Sequence, residues 1–165
     1  MPLRAKRPER RNKMTLTQKE TDILKDLKAQ EELCIEKYAK YADAACDPSL
    51  KNLFSEIKTA ETTHLDTINR IMNGEEVAMP TAPKSANEAK YKGAPSSCAV
   101  ADKKNDAYLC RDALSMEKHV SAVYNTGVFE FCSPTLRDTL AHIQKEEQDH
   151  GEKLYSYLAA CGMYC

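Results

Sequence analysis

The feature that most constrains this chain is a repeat in which acidic and histidine residues recur at one fixed offset. Glu31 is followed by Glu61 and His64, and 86 residues after each of these stand Glu117, Glu147 and His150. The same shift superposes Asp26 on Asp112, Tyr38 on Tyr124, Cys46 on Cys132, Pro48 on Pro134, Leu50 on Leu136 and Ile57 on Ile143. Each half therefore offers one Glu and one Glu-x-x-His pair. Together they supply four carboxylates and two imidazoles, the ligand count of a dinuclear carboxylate metal site built on four helices.

At 165 residues the chain is one domain by size, long enough for a single core. Its net charge of -1 carries no overall bias toward nucleic acid or a membrane surface. The exception is the start, where Arg4, Lys6, Arg7, Arg10, Arg11 and Lys13 face only Glu9. Residues 1–14 read as a basic disordered tail, and residues 15–165 as the folded domain. No apolar stretch of about 18 residues is present, so no membrane span and no secretion signal are expected. The seven Cys are odd in number and lack paired C-x-x-C spacing, so no disulfide framework is read from them. In a reduced cell they are thiols; in an oxidising shell, exposed copies among Cys98, Cys161 and Cys165 could cross-link the protein.

Glycine is scarce, at five residues, and apolar residues recur at intervals of 3 and 4 rather than 2, which predicts an all-α protein. Thr17 and Glu20 form a capping box opening the first helix, which runs to about Cys46. Asp47-Pro48 and Ser133-Pro134 each supply an N-cap with Pro at the first helical position. The second helix ends near Gly74 and the fourth near Gly162. Repeat one thus covers 17–73 and repeat two 106–161. Residues 74–105, rich in Pro, Ala, Ser and Lys, read as one long crossover. Two helical hairpins joined by one long crossover is the connectivity of ferritin-like four-helix bundles.

Four apolar stripes carry the expected core, including Leu24, Leu27, Cys34 and Tyr41 on the first helix and Phe54, Ile68 and Ile71 on the second. Cys110, Val120 and Phe131 mark the third, and Leu140, Leu154 and Tyr157 the fourth. The six Glu and His residues of the repeat lie on these stripes. Glu31 lies before the first turn by about the distance that Glu61 and His64 lie after it, roughly 21 to 26 Å at about 1.5 Å per residue. The second repeat stands in the same relation to Ser133, so all six share one level of the bundle.

A carboxylate in an apolar seam is costly unless it is paired or bound to metal. Four converging there repel or must protonate, whereas two divalent cations cancel their charge. Iron or manganese suits an oxygen-rich set with two imidazoles, and zinc competes by affinity. The plainer reading is a hydrogen-bonded buried polar cluster, but two Glu-x-x-His pairs with matched partner Glu residues favour metal. Tyr38 and Tyr124 fall two turns after Glu31 and Glu117, placed to donate to a ligand carboxylate, to take part in redox chemistry, or simply to pack with a hydrogen-bonded hydroxyl. Cys34 reads as a small hydrophobe, Asp26 and Asp112 as solvated, and His119 and His142 as surface residues.

The segment from Asp106 to Tyr164 resembles the spore coat protein F domain. The residues carrying the likeness are Leu114 to Lys118, Tyr124-Asn-Thr-Gly, the turn at Ser133 to Arg137 and the Glu146 to Gln148 run. Residues Leu16 to Met72 resemble it more loosely. The resemblance implies a ferritin-like fold and a location in the sporulating mother-cell cytoplasm or the spore coat, with other coat proteins as partners. The ligand pattern also resembles rubrerythrins and manganese catalases, which implies peroxidase- or catalase-like chemistry on hydrogen peroxide or oxygen. No rubredoxin-type C-x-x-C pair is present, nor a fifth helix after Cys161. Two functions compete: a dimetal oxidoreductase, and a structural coat component whose site only stabilises the bundle. A homodimer is compatible with either.

Overall fold

The computed structural model describes residues 14–79 and 97–164, and the basic tail expected over 1–14 lies outside them except for Met14. Four helices account for nearly all of it: α1 (Gln18–Ala44), α2 (Pro48–Met72), α3 (Val100–Glu130) and α4 (Pro134–Ala160). No strand occurs among the described residues. The protein is an all-α four-helix bundle.

Local chemistry sets the helix ends. Thr17 and Glu20 exchange side-chain to backbone hydrogen bonds in a full capping box. Asp47 and Ser133 cap α2 and α4, each followed by Pro in the first turn, where its missing N–H is harmless. Gly74 and Gly162, just past α2 and α4, adopt φ of 85° and 66°, a conformation that a Cβ would penalise.

The helices pair as two hairpins, α1 with α2 and α3 with α4, which then pack on each other through α1–α3 and α2–α4. Residues that meet across α1 and α3 run in opposite order, Tyr38 with Glu117 and Tyr41 with Asp112, so those helices are antiparallel. The core is contiguous through all four helices, from Leu24 and Phe54 to Val120 and Leu154.

Two findings differ from the sequence reading. α3 begins at Val100, so its first turns lie within the stretch read as crossover; residues 100–105 bury almost nothing, and so carry no apolar period to reveal a helix. Cys98 and Cys46 form a disulfide with Cα atoms 6.2 Å apart, although neither a disulfide framework nor this pairing was expected from spacing. The bond ties the segment entering α3 to the α1–α2 turn. At its other end the connection is held by Val77 O, which accepts from Thr139 Oγ1, and by Glu76, which accepts from Ser133 Oγ. The central part of the crossover, 80–96, lies outside the described residues. Among the described residues no helix is long and apolar enough to cross a membrane.

Candidate metal centre

On a helix, residues three apart share a face. Glu61 and His64 on α2, and Glu147 and His150 on α4, therefore point the same way into the bundle, where Glu31 of α1 and Glu117 of α3 meet them. All six are buried. Their ligand atoms fall into two sets, each within a 4.8 Å span: Glu31, Glu61, His64 and Glu147, and Glu61, Glu117, Glu147 and His150. Glu61 and Glu147 belong to both sets. Glu31 and Glu117 belong to one set each.

His64 Nδ1 stands 2.9 Å from Glu147 Oε1 and 3.2 Å from Glu61 Oε2. His150 Nδ1 stands 3.1 Å from Glu61 Oε1 and 3.5 Å from Glu117 Oε2. The two rings lie nearly parallel with centroids 5.8 Å apart. Several of these close approaches are not aligned as hydrogen bonds. Glu31 Oε2, Glu61 Oε1, Glu117 Oε2, both Glu147 oxygens and His150 Nδ1 are buried without a hydrogen-bond partner. Buried polar atoms are rarely left so, and this many in one cluster calls for an explanation such as an ion.

Both tyrosines reach across to the other repeat. Tyr38 donates its hydroxyl to Glu117 Oε1, and Tyr124 donates to Glu31 Oε1. Each of those carboxylates has one oxygen held by a phenol and the other directed, unpaired, into the cluster. Burial, reinforced by the adjacent carboxylates, holds both phenols well above their usual pKa, so they remain donors.

The side chains by themselves balance charge by sharing protons. Burial and the neighbouring Glu61 push Glu31 up to about 10. Burial also raises Glu117, to about 8, although His150 opposes it. For Glu61 and Glu147 burial is outweighed by the close imidazoles of His150 and His64, and both carboxylates fall below their ordinary range. Burial likewise disfavours charge on the imidazoles, but the surrounding carboxylates win. They hold His64 well above its usual value and His150 at about 11. The cluster then stores two imidazolium protons and two carboxyl protons, where divalent cations would supply the same positive charge.

Three acids make contacts that the sequence reading did not give them. Half-buried Glu146 lies 2.9 Å from His64 Nε2, on the side of the ring away from the cluster. A carboxylate there fixes ring orientation and raises the basicity of the inward nitrogen. Farther off, Asp106 accepts hydrogen bonds from the backbone N–H groups of Cys46 and Asp47. Glu20 does the same for Cys132 N–H. Glu20 and Asp106 are themselves related by the repeat offset, so each hairpin turn is pinned by an acid from the opposite hairpin. Of the residues set aside as peripheral, Asp26 is exposed, whereas half-buried Asp112 pairs with Lys37 at 2.6 Å and accepts from Tyr41. Cys34 is buried, and burial drives its thiol far above the ordinary range, in keeping with a small hydrophobe.

Residues 105–164, which comprise α4 and most of α3, match the family model described as Coat F domain. No curated protein and no solved structure matches the chain. The matched segment holds Glu117, Glu147, His150 and Tyr124, and it supports association with the spore coat.

Proposed function

We propose that this Coat F-domain protein binds two first-row transition-metal ions, iron or manganese, through Glu31, Glu61, His64, Glu117, Glu147 and His150. We further propose that the centre reacts with hydrogen peroxide or oxygen in the sporulating cell. The observation that carries the reading is the set of buried, unpaired carboxylate oxygens and imidazole nitrogen converging in two overlapping groups. Four carboxylates and two neutral imidazoles give a neutral site with two divalent cations, and the mixed oxygen and nitrogen donors suit iron and manganese, with zinc as competitor.

Such ions supply Lewis acidity and redox equivalents when bound. The protein's part is to orient and to exclude water. Tyr38 and Tyr124 fix Glu117 and Glu31 by one oxygen each, leaving the other free. Glu146 holds the His64 ring so that Nδ1 faces inward. Leu27, Phe54 and Leu140 in the surrounding core keep the dielectric low, which strengthens every charge interaction at the centre.

The test is loss of hydrogen peroxide with manganese- or iron-loaded protein, with and without a reductant, compared with Glu147→Ala. Turnover that vanishes in the variant supports an oxidoreductase. Full metal occupancy without turnover under either condition favours a second reading, a coat component whose ions staple the bundle. The reciprocal Tyr–Glu bonds between α1 and α3 are the observation on that side, since they tie the hairpins together through the same residues.

A further inference from the structure

The two repeats surround the centre almost symmetrically, and the departures from symmetry fall on one side. A surface cleft of about 440 Å3 runs down to Glu117 and Glu147, between Leu114 and Lys118 of α3 and Gly151 and Tyr155 of α4. Glu31, Glu61, His64 and His150 are not part of its wall, so the cleft meets the centre at the two carboxylates of the second repeat, with His150 immediately before Gly151 in the chain. That volume is many times the roughly 30 Å3 a water molecule occupies.

The repeat offset shows why the cleft lies there. Gly151 corresponds to Leu65, and Lys118 corresponds to Glu32. Glu146, which covers the outer nitrogen of His64, corresponds to Ala60, so nothing equivalent stands at that register beside His150. At the first two positions the first repeat has an isobutyl group and one acid where the second has a bare backbone and a lysine. Exposure follows the same order, 5% for His150 against 1% for His64.

We infer that small ligands reach the centre from the second repeat's side, through the cleft beside Gly151, and that the absence of a side chain at position 151 keeps this entrance open. The ligand class is a small neutral or singly anionic molecule, because Lys118 stands at the cleft wall and the bundle leaves no comparable cation at position 32. The inference rests on the metal reading for what the ligand meets, but the opening itself is a property of the protein surface. A Cβ added at Gly151 would lie 3.5 Å from Leu114 Cδ1 and 3.9 Å from Glu117 Cβ, ordinary contacts that a helix accepts. A longer side chain built from there occupies the cleft.

The experiment compares the parent with Gly151→Ala and Gly151→Leu. Azide binding to the iron-loaded proteins is read from the visible spectrum, with metal content measured on the same samples. Gly151→Leu should retain two ions while its azide dissociation constant rises by roughly tenfold or more, with Gly151→Ala between, as crowding of a filled site implies. In a second arm, the metal-free proteins are exposed to a brief pulse of hydroxyl radicals, which attack side chains by solvent access in either protonation state, and modification of each histidine is followed by mass spectrometry. His150 should react faster than His64, and Gly151→Leu should slow His150 alone. Unchanged azide affinity at full metal content overturns the inference, as do equal histidine rates that ignore the substitution. If the parent binds no metal, the proposed function fails, and the histidine rates still decide whether the cleft is the entrance.

Discussion

At the scale of residues, the centre is defined by what each buried oxygen lacks. Glu31 and Glu117 each have one oxygen satisfied by a tyrosine from the other repeat and one unsatisfied. Removing either phenol leaves a buried carboxylate oxygen without its donor, which typically costs about 1–3 kcal/mol. Tyr38→Phe and Tyr124→Phe should therefore destabilise the protein by similar amounts in that range, measured by denaturant unfolding. A change below about 0.5 kcal/mol in both, the size of an inert surface substitution, would mean that these hydroxyls only pack. The same symmetry governs Glu31→Ala and Glu117→Ala, which should reduce metal content comparably. A protein that tolerates one fully while losing both ions with the other would have an asymmetric site.

At the scale of elements, the helices were legible wherever a cap, a proline or an apolar period marked them. Thr17–Glu20, Asp47-Pro48 and Ser133-Pro134 all act as the sequence indicated, and the 86-residue offset brought all six candidate ligands onto inward faces. What escaped lacked a period, an identical repeat partner or a signal near it in the chain. The first turns of α3 bury no face, so nothing apolar recurs there. Glu146 has Ala60 as its counterpart, and a search for repeated residues passes over it. The Cys46–Cys98 bond depends on where a long connection returns in space, which spacing cannot give. Glu20 and Asp106 are both acids at the repeat offset, but they differ in type, and their role appears only when the opposite turn is beside them. Asp106 accepts two backbone N–H groups, so Asp106→Ala should cost about 1–3 kcal/mol. Asp102→Ala, on the exposed start of the same helix, should stay within about 0.5 kcal/mol. Equal effects in thermal or denaturant unfolding would remove Asp106 from the account of the turn.

At the scale of the whole molecule, the buried cluster couples stability to pH and to metal in opposite directions. Glu31 and Glu117 titrate above their unfolded values, and so do His64 and His150. A group that holds its proton more tightly when folded stabilises the fold at low pH and loses that contribution as pH rises through its folded value. Metal-free protein should accordingly lose stability as pH rises, from above the unfolded carboxyl and imidazole values of about 4.3 and 6.5 toward about 8 to 11. The depressed carboxylates Glu61 and Glu147 act the other way: their contribution is lost as pH falls below the unfolded carboxyl value. Metal must displace the stored protons, so its affinity increases with pH. Ions bound to the folded state alone raise stability by about 2.7 kcal/mol at a hundredfold excess over the dissociation constant. Chelator should therefore lower the melting temperature more at pH 7 than at pH 5. Melting curves that coincide with and without chelator at both pH values would contradict this coupling.

The central claim is that the repeated Glu and Glu-x-x-His residues form one dinuclear site, and elemental analysis tests it most directly. Protein produced with iron and manganese supplied should carry about two ions per chain. Glu147→Ala, which removes a carboxylate common to both ligand sets, should carry fewer. Folded parent protein that contains no iron, manganese or zinc under those conditions, or a Glu147→Ala variant that retains the full two ions, would contradict the account.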